Sequence, residues 1–282
     1  MERLSDTDSM RAWSRAQRAT GRRVGFVPTM GYLHEGHLSL VVEALARTDV
    51  VVVSIYVNPT QFAPHEDFAV YPRDLEGDLS KLRALGCHAV FTPERLYASA
   101  DAAQETWIEP GPTAAPLCGA SRPGFFRGVA TVVAKLFHIV EPDVAIFGKK
   151  DYQQWRVISA MVRDLDMGIE VVGMPTVRES DGLAMSSRNS RLSTEQREAA
   201  VAVPGSLVIA TKMVAGGQRS AAEVSAAMRR HLEAAGGAVD YIAWVDAETL
   251  GPVAELRGAL LVAVAVAFGG VRLIDNREIP VP

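Results

Sequence analysis

The chain has 282 residues, of which 48% are hydrophobic and 22% are charged, so it is long enough for one large domain or two medium ones around a real core. A formal net charge of −4 excludes an overall basic surface for a polyanion such as RNA. A local pocket for a small phosphate ligand is compatible with that charge, because it needs only a few cations.

Targeting and redox features are typical of the cytoplasm. The N-terminal residues contain no apolar segment of the signal-peptide type, so we expect no secretion signal. The longest apolar run, 259–268, is too short to span a bilayer as a helix, and its β-branched residues predict a buried strand. Cys87 and Cys118 lack the spacing of metal ligands, and we expect both to be reduced. These features predict a cytoplasmic protein that binds neither nucleic acid nor a membrane.

Strands and helices alternate along the first 175 residues. Apolar runs predict strands at 24–27, 50–56, 88–91, 143–147 and 169–174. Helical spacing predicts helices at 37–47, 75–86, 129–140 and 151–165. Alternation with short connections predicts a doubly wound parallel α/β sheet, in which ligands bind beyond the carboxyl ends of the strands. By that rule the functional loops are 28–36, 58–62 and 148–151.

The pattern changes after about residue 176. Two helical runs, 194–202 and 220–235, are followed by strand-like runs at 239–246, 259–268 and 271–275. Two helices and a small antiparallel sheet predict a separate α+β domain, with a boundary near Pro175. We therefore predict domains at 1–176 and 177–282.

Two histidines stand three residues apart in the stretch FVPTMGYLHEGHLSL (26–40). At a helix start, His34 and His37 project to the same side, where free N–H groups attract phosphate. Gly31 and Gly36 allow a close approach of the backbone to a ligand, and an imidazole can donate a proton to phosphate. A helix cap with two surface histidines is the alternative. The Pro-Thr-Met-Gly turn after a buried strand favours the phosphate site.

Two further loops carry polar side chains after predicted strands. VNPTQF (57–62) places Asn58 and Gln61 after the most apolar strand, where uncharged amides suit a hydroxyl or a carboxylate. FGKKDYQQW (147–155) places Lys149 and Lys150 before a helix that we expect Asp151 to cap, with Gln154 one turn later. Adjacent cations at a helix N-terminus indicate an anion, because they disfavour that position otherwise. Solvent-exposed lysines are the simpler alternative.

The stretch VRESDGLAMSSRNSRLS (177–193) crosses the predicted domain boundary. Ser186, Ser187 and Arg188 supply two hydroxyls and a planar donor for phosphate oxygens. Small residues around them are typical of a loop that moves over a ligand, although they also suit an ordinary linker. No Walker A motif and no G-x-G-x-x-G motif opens the first helix, so a nucleotide would be bound by a different device.

Six segments in order resemble the pantothenate synthetases: PTMGYLHEGHLSL, VNPTQF, YPRD, FRGVATVVAKLF, FGKKDYQQ and PTVRESDGLAMSSRN. These enzymes belong to the nucleotidyltransferase superfamily, and here HEGH (34–37) resembles its "HIGH" loop and MSSR (185–188) a variant of its mobile "KMSKS" loop. The resemblance implies a Rossmann-like fold with a lid domain. It implies an ATP-dependent ligase that joins (R)-pantoate to β-alanine through pantoyl-adenylate, with Mg²⁺, as a homodimer.

The resemblance also implies a role for each matching residue. Catalytic roles fall on His34, His37, Lys150, Ser186 and Arg188. ATP would contact Met30, Gly31, His34, Gly36, His37, Gly148, Lys149, Lys150, Asp151, Val177, Met185, Ser186, Ser187 and Arg188. The substrates would contact Asn58, Gln61, Arg122 and Gln154. Asp78 would be a ligand of Mg²⁺.

Two positions depart from the family pattern. Lys149 stands where the family usually carries Glu or Gln, which adds positive charge beside the nucleotide. Gly77 precedes Asp78 where some members have a second acid, which weakens the case for a magnesium site there.

Three other functions compete with a ligase. Another adenylyl- or cytidylyltransferase would take a phosphate as acceptor, and the glutamines of VNPTQF and DYQQ argue against it. The acidic charge balance disfavours a fragment of a tRNA synthetase. A regulatory module that only binds nucleotide would not need both signature loops.

Overall fold

The computed structural model of the protein describes residues 1–63, 66–97 and 104–281. Its strands are β1 (Glu2–Leu4), β2 (Val24–Thr29), β3 (Val50–Ile55), β4 (Ala89–Phe91), β5 (Val144–Gly148), β6 (Glu170–Met174), β7 (Ala238–Asp246), β8 (Gly258–Phe268) and β9 (Val271–Val281). Its helices are α1 (Thr7–Ala19), α2 (Glu35–Arg47), α3 (Leu75–Ala84), α4 (Cys118–Ser121), α5 (Phe125–Val140), α6 (Tyr152–Asp164), α7 (Thr194–Ala199), α8 (Ala202–Ala215) and α9 (Ala221–Ala234).

The chain folds into two compact units. The first comprises residues 1–111, 122–149 and 154–175, and the second comprises 112–121, 150–153 and 176–282. The main change of unit therefore falls between Pro175 and Thr176. The short segments 112–121 and 150–153 also belong to the second unit. The prediction of a single boundary near Pro175 did not include them. The limits 1–176 and 177–282 stay a prediction for the functional domains.

A six-stranded sheet in the order β1-β4-β3-β2-β5-β6 forms the centre of the first unit, and all its strand pairs are parallel. The chain builds β3 and β4 on one side of β2 and then places β5 and β6 on the other side. The order thus reverses between β2 and β5, and α/β sheets bind ligands outside the carboxyl ends of strands at such a point. The predicted doubly wound parallel fold is confirmed.

Buried β-branched residues explain the centre of this sheet. The first five residues of β3, 50–54, are buried, as expected of a parallel strand covered on both faces. On one face of the sheet, Val51 and Val53 pack in a cluster with Leu40 of α2 and Leu79 of α3. This packing fixes α2 and α3, the helices that follow the loops after β2 and β3.

The second unit contains a three-stranded antiparallel sheet in the order β7-β8-β9. Its core joins the buried residues of β8 to the apolar faces of α8 and α9, including Leu207, Met228 and Leu232. The predicted α+β character is confirmed. The apolar run predicted as a strand is β8. The helical run 194–215 is long and apolar enough to cross a membrane by composition, but it is divided into α7 and α8, and Leu207 of α8 packs into this core.

Several elements differ from the predictions, among them β9, which extends to Val281 rather than ending at residue 275. β1 is a three-residue edge strand beside β4, and such a strand is too short for a periodic pattern. α5 begins at Phe125 rather than at residue 129, because Gly128 lies inside the helix. α8 continues to Ala215, since Pro204 lies in its first turn, where a proline is tolerated. The helix α1 was not predicted.

Candidate active site

The loop between β2 and α2 begins with a turn that ties two strand ends together. The hydroxyl of Thr29 donates to the carbonyl of Ser54 at 2.7 Å and accepts from the amide of Gly31 at 3.2 Å. Gly31 has a φ of +85°, and a Cβ there would lie 2.9 Å from Cγ2 of Ile55. A glycine is therefore required both by the backbone conformation and by the close approach of β3.

His34 and His37 form the N-terminal cap of α2. Nδ1 of His34 accepts from the amide of Gly36 at 3.2 Å, and Nδ1 of His37 accepts from the amide of His34 at 3.4 Å. The two ring centroids lie 4.1 Å apart. Because both Nδ1 atoms accept, each neutral ring carries its proton on Nε2. The cap therefore orients two Nε2–H donors at the positive end of a helix, an arrangement that suits phosphate.

Asn58 and Gln61 lie in the turn after β3, where residues Pro59–Gln61 form a single 3₁₀ turn. The amide of Asn58 donates to Oε1 of Gln61 at 3.1 Å and to the carbonyl of Gly128 at 3.2 Å. Nε2 of Gln61 then faces Sδ of Met30 at 3.3 Å. This contact brings the loops after β2 and β3 together. Asn58 is buried, and these contacts are those of a residue that orients Gln61; a direct bond from Asn58 to substrate stays a prediction.

Arg122, in the short connection between α4 and α5, contacts the same turn. Its guanidinium makes hydrogen bonds of 2.7 and 2.6 Å with the two carboxylate oxygens of Glu66, and it donates to the carbonyl of Gln61 at 3.0 Å. The guanidinium carbon also lies 3.8 Å from the ring centroid of Phe125. Because Glu66 compensates its charge, Arg122 positions Gln61 in this structure, and its contact with substrate or phosphate stays a prediction.

The surroundings of Asp78 show whether this residue suits the predicted magnesium site. The residue is 1% exposed, and its carboxylate oxygens accept from the amides of Tyr32 and Leu33 at 2.7 and 2.6 Å. Burial raises the pKa of Asp78 above its ordinary value, although the two amide donors and the charge of Lys81 act in the opposite direction. Among the described residues, no group of three His, Cys, Asp or Glu side chains is placed to hold a metal ion. A single buried carboxylate beside an ammonium does not fit a resident Mg²⁺ ion.

The connection from β5 to α6 carries the predicted lysines. Gly148 ends β5, and Lys149, Lys150 and Asp151 form a 3₁₀ turn. Asp151 therefore lies in that turn before α6. Nζ of Lys149 lies 4.9 Å from the ring centroid of Trp155.

Lys150 is anchored through its backbone. Its carbonyl accepts from Nδ2 of Asn276 at 2.9 Å, while Nζ lies 3.7 Å from the carboxylate of Asp151. Gln154, in the first turn of α6, is half-buried.

The segment after β6 forms a hairpin and a tight turn in the second unit. The amide of Met185 donates to the carbonyl of Val177 at 3.0 Å. Ser186 then caps a 3₁₀ turn over Ser187–Arg191, because its hydroxyl oxygen accepts from the amide of Arg188 at 3.3 Å. The O–H of Ser186 keeps its own donor direction. Ser187 is buried and Arg188 is half-buried.

Two residues that the sequence analysis did not single out hold these segments in place. Gln153 uses its whole amide: Nε2 donates to the carbonyls of Thr113 and Pro116 at 3.0 and 2.6 Å, and Oε1 accepts from the amide of Cys118 at 3.1 Å. Asp275 is fully buried and pairs with Arg178, which begins the 177–185 hairpin. Asp275 lies at a buried position in the alternating pattern of β9, and this alternation in the sequence could have identified it as an inward-facing carboxylate.

Comparison with known proteins agrees with these local features. The family model for pantoate-beta-alanine ligase matches residues 2–278. A pantoate–β-alanine ligase of Arabidopsis thaliana is 52% identical over 305 residues, which cover 99% of this chain and 98% of the relative. A pantothenate synthetase of Anaeromyxobacter dehalogenans is 52% identical over 285 residues, which cover 99% of each chain.

Two solved structures are also similar. A pantothenate synthetase from Thermus thermophilus superposes with a TM-score of 0.92 at 45% identity, covering 99% of this chain and 100% of that one. A pantoate-beta-alanine ligase from Francisella tularensis, complexed with beta-gamma ATP and beta-alanine, gives a TM-score of 0.83 at 32% identity, covering 99% and 97%. Matches of this length, on a chain with the HEGH cap and the MSSR turn, show that this protein belongs to the pantoate–β-alanine ligase family.

Proposed function

We propose that this protein is an ATP-dependent ligase that condenses (R)-pantoate with β-alanine to pantothenate and releases AMP and pyrophosphate. Within the family, the observation that carries this function is the capping box of His34 and His37. Two Nε2–H donors at the start of α2, with ring centroids 4.1 Å apart, are suited to the phosphates of a nucleotide. The complex of the Francisella tularensis relative with beta-gamma ATP and beta-alanine supports the same two substrates here.

The first step transfers the adenylyl group. A carboxylate oxygen of pantoate attacks the α-phosphorus, the bond to the β-phosphate oxygen breaks, and pyrophosphate leaves with the electron pair. Charge grows on the phosphate oxygens, so donors aimed at them stabilise the transition state. We assign this work to Nε2–H of His34 and His37 and to Lys150, with Nε2–H of His37 donating a hydrogen bond to the leaving pyrophosphate.

Ser186 and Arg188 of the second unit are assigned to the same triphosphate by the family resemblance. The cap geometry of Ser186 supports this role, because its hydroxyl hydrogen is not used in the bond to the amide of Arg188. By the same resemblance, ATP would also contact Met30, Gly31, Gly36, Gly148, Lys149, Asp151, Val177, Met185 and Ser187.

The second step forms the amide. The neutral amine of β-alanine attacks the acyl carbon of pantoyl-adenylate, the acyl–phosphate bond breaks, and AMP leaves while the amine loses a proton. Gln61 is proposed to bind pantoate, since Asn58 fixes its Oε1 and its Nε2 lies beside Met30 of the loop after β2. Gln154 is proposed as the second amide that binds pantoate. Pantoyl-adenylate hydrolyses readily, so excluding water from this step raises the yield.

The proposal also covers the metal ion, the oligomeric state and the cellular compartment. Mg²⁺ is expected to enter with ATP rather than on Asp78. Family resemblance supports a homodimer, which light scattering coupled to gel filtration would test. Cys87 and Cys118 are free thiols, which supports a reducing compartment such as the cytoplasm.

A coupled assay tests the function. The purified protein is incubated with ATP, Mg²⁺ and pantoate, with and without β-alanine, and pyrophosphate, AMP and pantothenate are followed. Turnover of AMP and pantothenate in equal amounts should require both pantoate and β-alanine. A protein that transferred adenylyl to a phosphate acceptor instead would release pyrophosphate without forming pantothenate.

A further inference from the structure

Two side chains of α3, the carboxylate of Asp78 and the ammonium of Lys81, make hydrogen bonds to the backbone of the loop that precedes His34. Asp78 accepts from the consecutive amides of Tyr32 and Leu33 at 2.7 and 2.6 Å. Lys81, one turn later on the same helix, donates from Nζ to the carbonyl of Leu33 at 2.6 Å. Leu33 is therefore bound at both its N–H and its C=O, immediately before the N-cap residue His34.

The backbone of this loop needs such support. Tyr32 has a φ of +52°, in the left-handed region that a tyrosine rarely adopts. Gly31 just before it also has a positive φ, of +85°. Consecutive residues in this region persist only where surrounding bonds over-determine the conformation, and such strain is concentrated at functional sites. The two bonds of Asp78 fall on Tyr32 and on the residue after it.

The charges of the two side chains support each other. Asp78 is buried, and its carboxylate faces two amide donors and the charge of Lys81. Lys81 lies at an exposed position, but its ammonium reaches back to the loop. Burial raises the pKa of Asp78 above its ordinary value, and the two amide donors and Lys81 oppose that rise.

We propose that Asp78 and Lys81 are positioning residues for the ligase reaction, which together fix the loop so that His34 and His37 meet the phosphates of ATP. This inference rests on the proposed function of the two histidines. The link is direct, because the amide of His34 donates to Nδ1 of His37 and the plane of that amide includes the carbonyl of Leu33. A shift of Leu33 therefore changes the orientation of both rings.

A magnesium ligand at Asp78 would behave differently. Replacing it would raise the concentration of Mg²⁺ needed at a fixed ATP concentration, and removing the neighbouring ammonium would improve the site or leave it unchanged. In the positioning account, both Asp78 and Lys81 support catalysis, and the dependence on Mg²⁺ follows the formation of MgATP in every variant.

The experiment compares Asp78→Asn and Lys81→Met with the wild type by steady-state kinetics of pantothenate formation and by a titration with Mg²⁺. Asp78→Asn keeps the size of the side chain but turns an amino group toward one of the two amides. We expect kcat to fall about tenfold or more in Asp78→Asn and about threefold or more in Lys81→Met, with the KM for β-alanine unchanged. Lys81→Arg, which keeps a donor, should restore most of the rate. The double variant should be little slower than Asp78→Asn, because both side chains hold one loop.

Two control variants on α3 separate positioning from helix stability. Asp74→Asn weakens the cap of α3, where Asp74 accepts from the amide of Gly77, and Arg83→Met removes an exposed cation of that helix. Both should keep kcat within about twofold of the wild type. Unfolding midpoints measured on all variants show how much each substitution destabilises the protein.

Each result decides one question. The positioning role would be overturned if folded Asp78→Asn and Lys81→Met had the kcat of the wild type. It would also be overturned if Asp74→Asn lost as much rate at equal destabilisation, or if only Asp78→Asn needed more Mg²⁺. A wild-type protein that forms no pantothenate would instead remove the proposed function on which the inference rests.

Discussion

At the level of single residues, Lys150 carries the sharpest prediction about chemistry. Its carbonyl is held by Asn276, so its ammonium extends from a fixed point of the backbone. Removing one group that stabilises charge in a transition state typically costs about a hundredfold in kcat. We expect Lys150→Ala to lower kcat by roughly that factor or more. Lys212→Ala, at an exposed position of α8, is the control for the loss of one lysine. A rate near that of the wild type would make Lys150 an ordinary surface charge.

We expect the adjacent residues Gln153 and Gln154 to have different roles, one in stability and the other in substrate binding. Gln153 is buried and makes three hydrogen bonds to backbone groups of residues 113–118, so Gln153→Ala should lower the free energy of unfolding by about 2 kcal/mol. Gln154→Ala should raise the KM for pantoate about tenfold at nearly unchanged stability, because it removes a bond to a charged ligand. Urea unfolding and pantoate titrations of both variants test this. The reverse assignment, with Gln153 affecting KM and Gln154 affecting stability, would contradict it.

The signature residues could be predicted from the sequence, whereas the residues that hold them in place could not. Two histidines with glycines after an apolar run, in the order of the other motifs, were enough to select His34 and His37. The partners of the loop could not be derived in the same way, because Lys81 has the sequence pattern of an ordinary exposed residue of α3. Its contact with Leu33 spans 48 positions of the chain and arises only when α3 packs beside β3.

Among the elements, the 177–185 hairpin depends on one buried ion pair. Arg178 donates to both carboxylate oxygens of Asp275 at 2.7 and 2.9 Å, and the Asp275 side chain is fully buried. Asp275→Ala leaves a guanidinium without its partner in a poorly solvated place, which should cost about 3 kcal/mol of unfolding free energy. Urea unfolding measures this loss.

A surface ion pair in the same unit is the control for that substitution. Arg257 and Glu255 lie 2.7 Å apart, and both side chains are mostly exposed. Arg257→Ala should change the unfolding free energy by less than about 1 kcal/mol. Equal losses in Asp275→Ala and Arg257→Ala would show that burial of the Arg178 pair adds nothing.

Helix boundaries show why element limits were harder to predict than element type. Gly128 suggested a loop before residue 129, yet it lies in the first turns of α5, where a Cβ would come within 2.4 Å of the carbonyl oxygen of Thr60. The glycine serves a close approach between α5 and the 58–61 turn rather than a break. Likewise, Gly205 of α8 faces the ring of His231. Both contacts are tertiary, so local propensity does not contain them.

For the whole molecule, ligand-dependent protection of the MSSR segment is the expected signature of a lid. We predict that ATP with Mg²⁺ slows tryptic cleavage after Arg178, Arg188 and Arg191, because binding of the triphosphate should restrain residues 177–191. Timed digestion followed by mass spectrometry gives the rate at each bond. Cleavage after Arg230, in the helix α9, is the internal control. Rates after Arg188 that do not change with ATP would mean that the segment is a static linker.

The ligase reaction itself is tested most directly by the dependence of AMP release on both acceptor substrates. Purified protein with ATP and Mg²⁺ receives pantoate, β-alanine, both or neither, and AMP and pantothenate are quantified over time. We expect sustained AMP release with equal formation of pantothenate only when both substrates are present. AMP release at the same rate with neither substrate, or with no pantothenate formed, would contradict it.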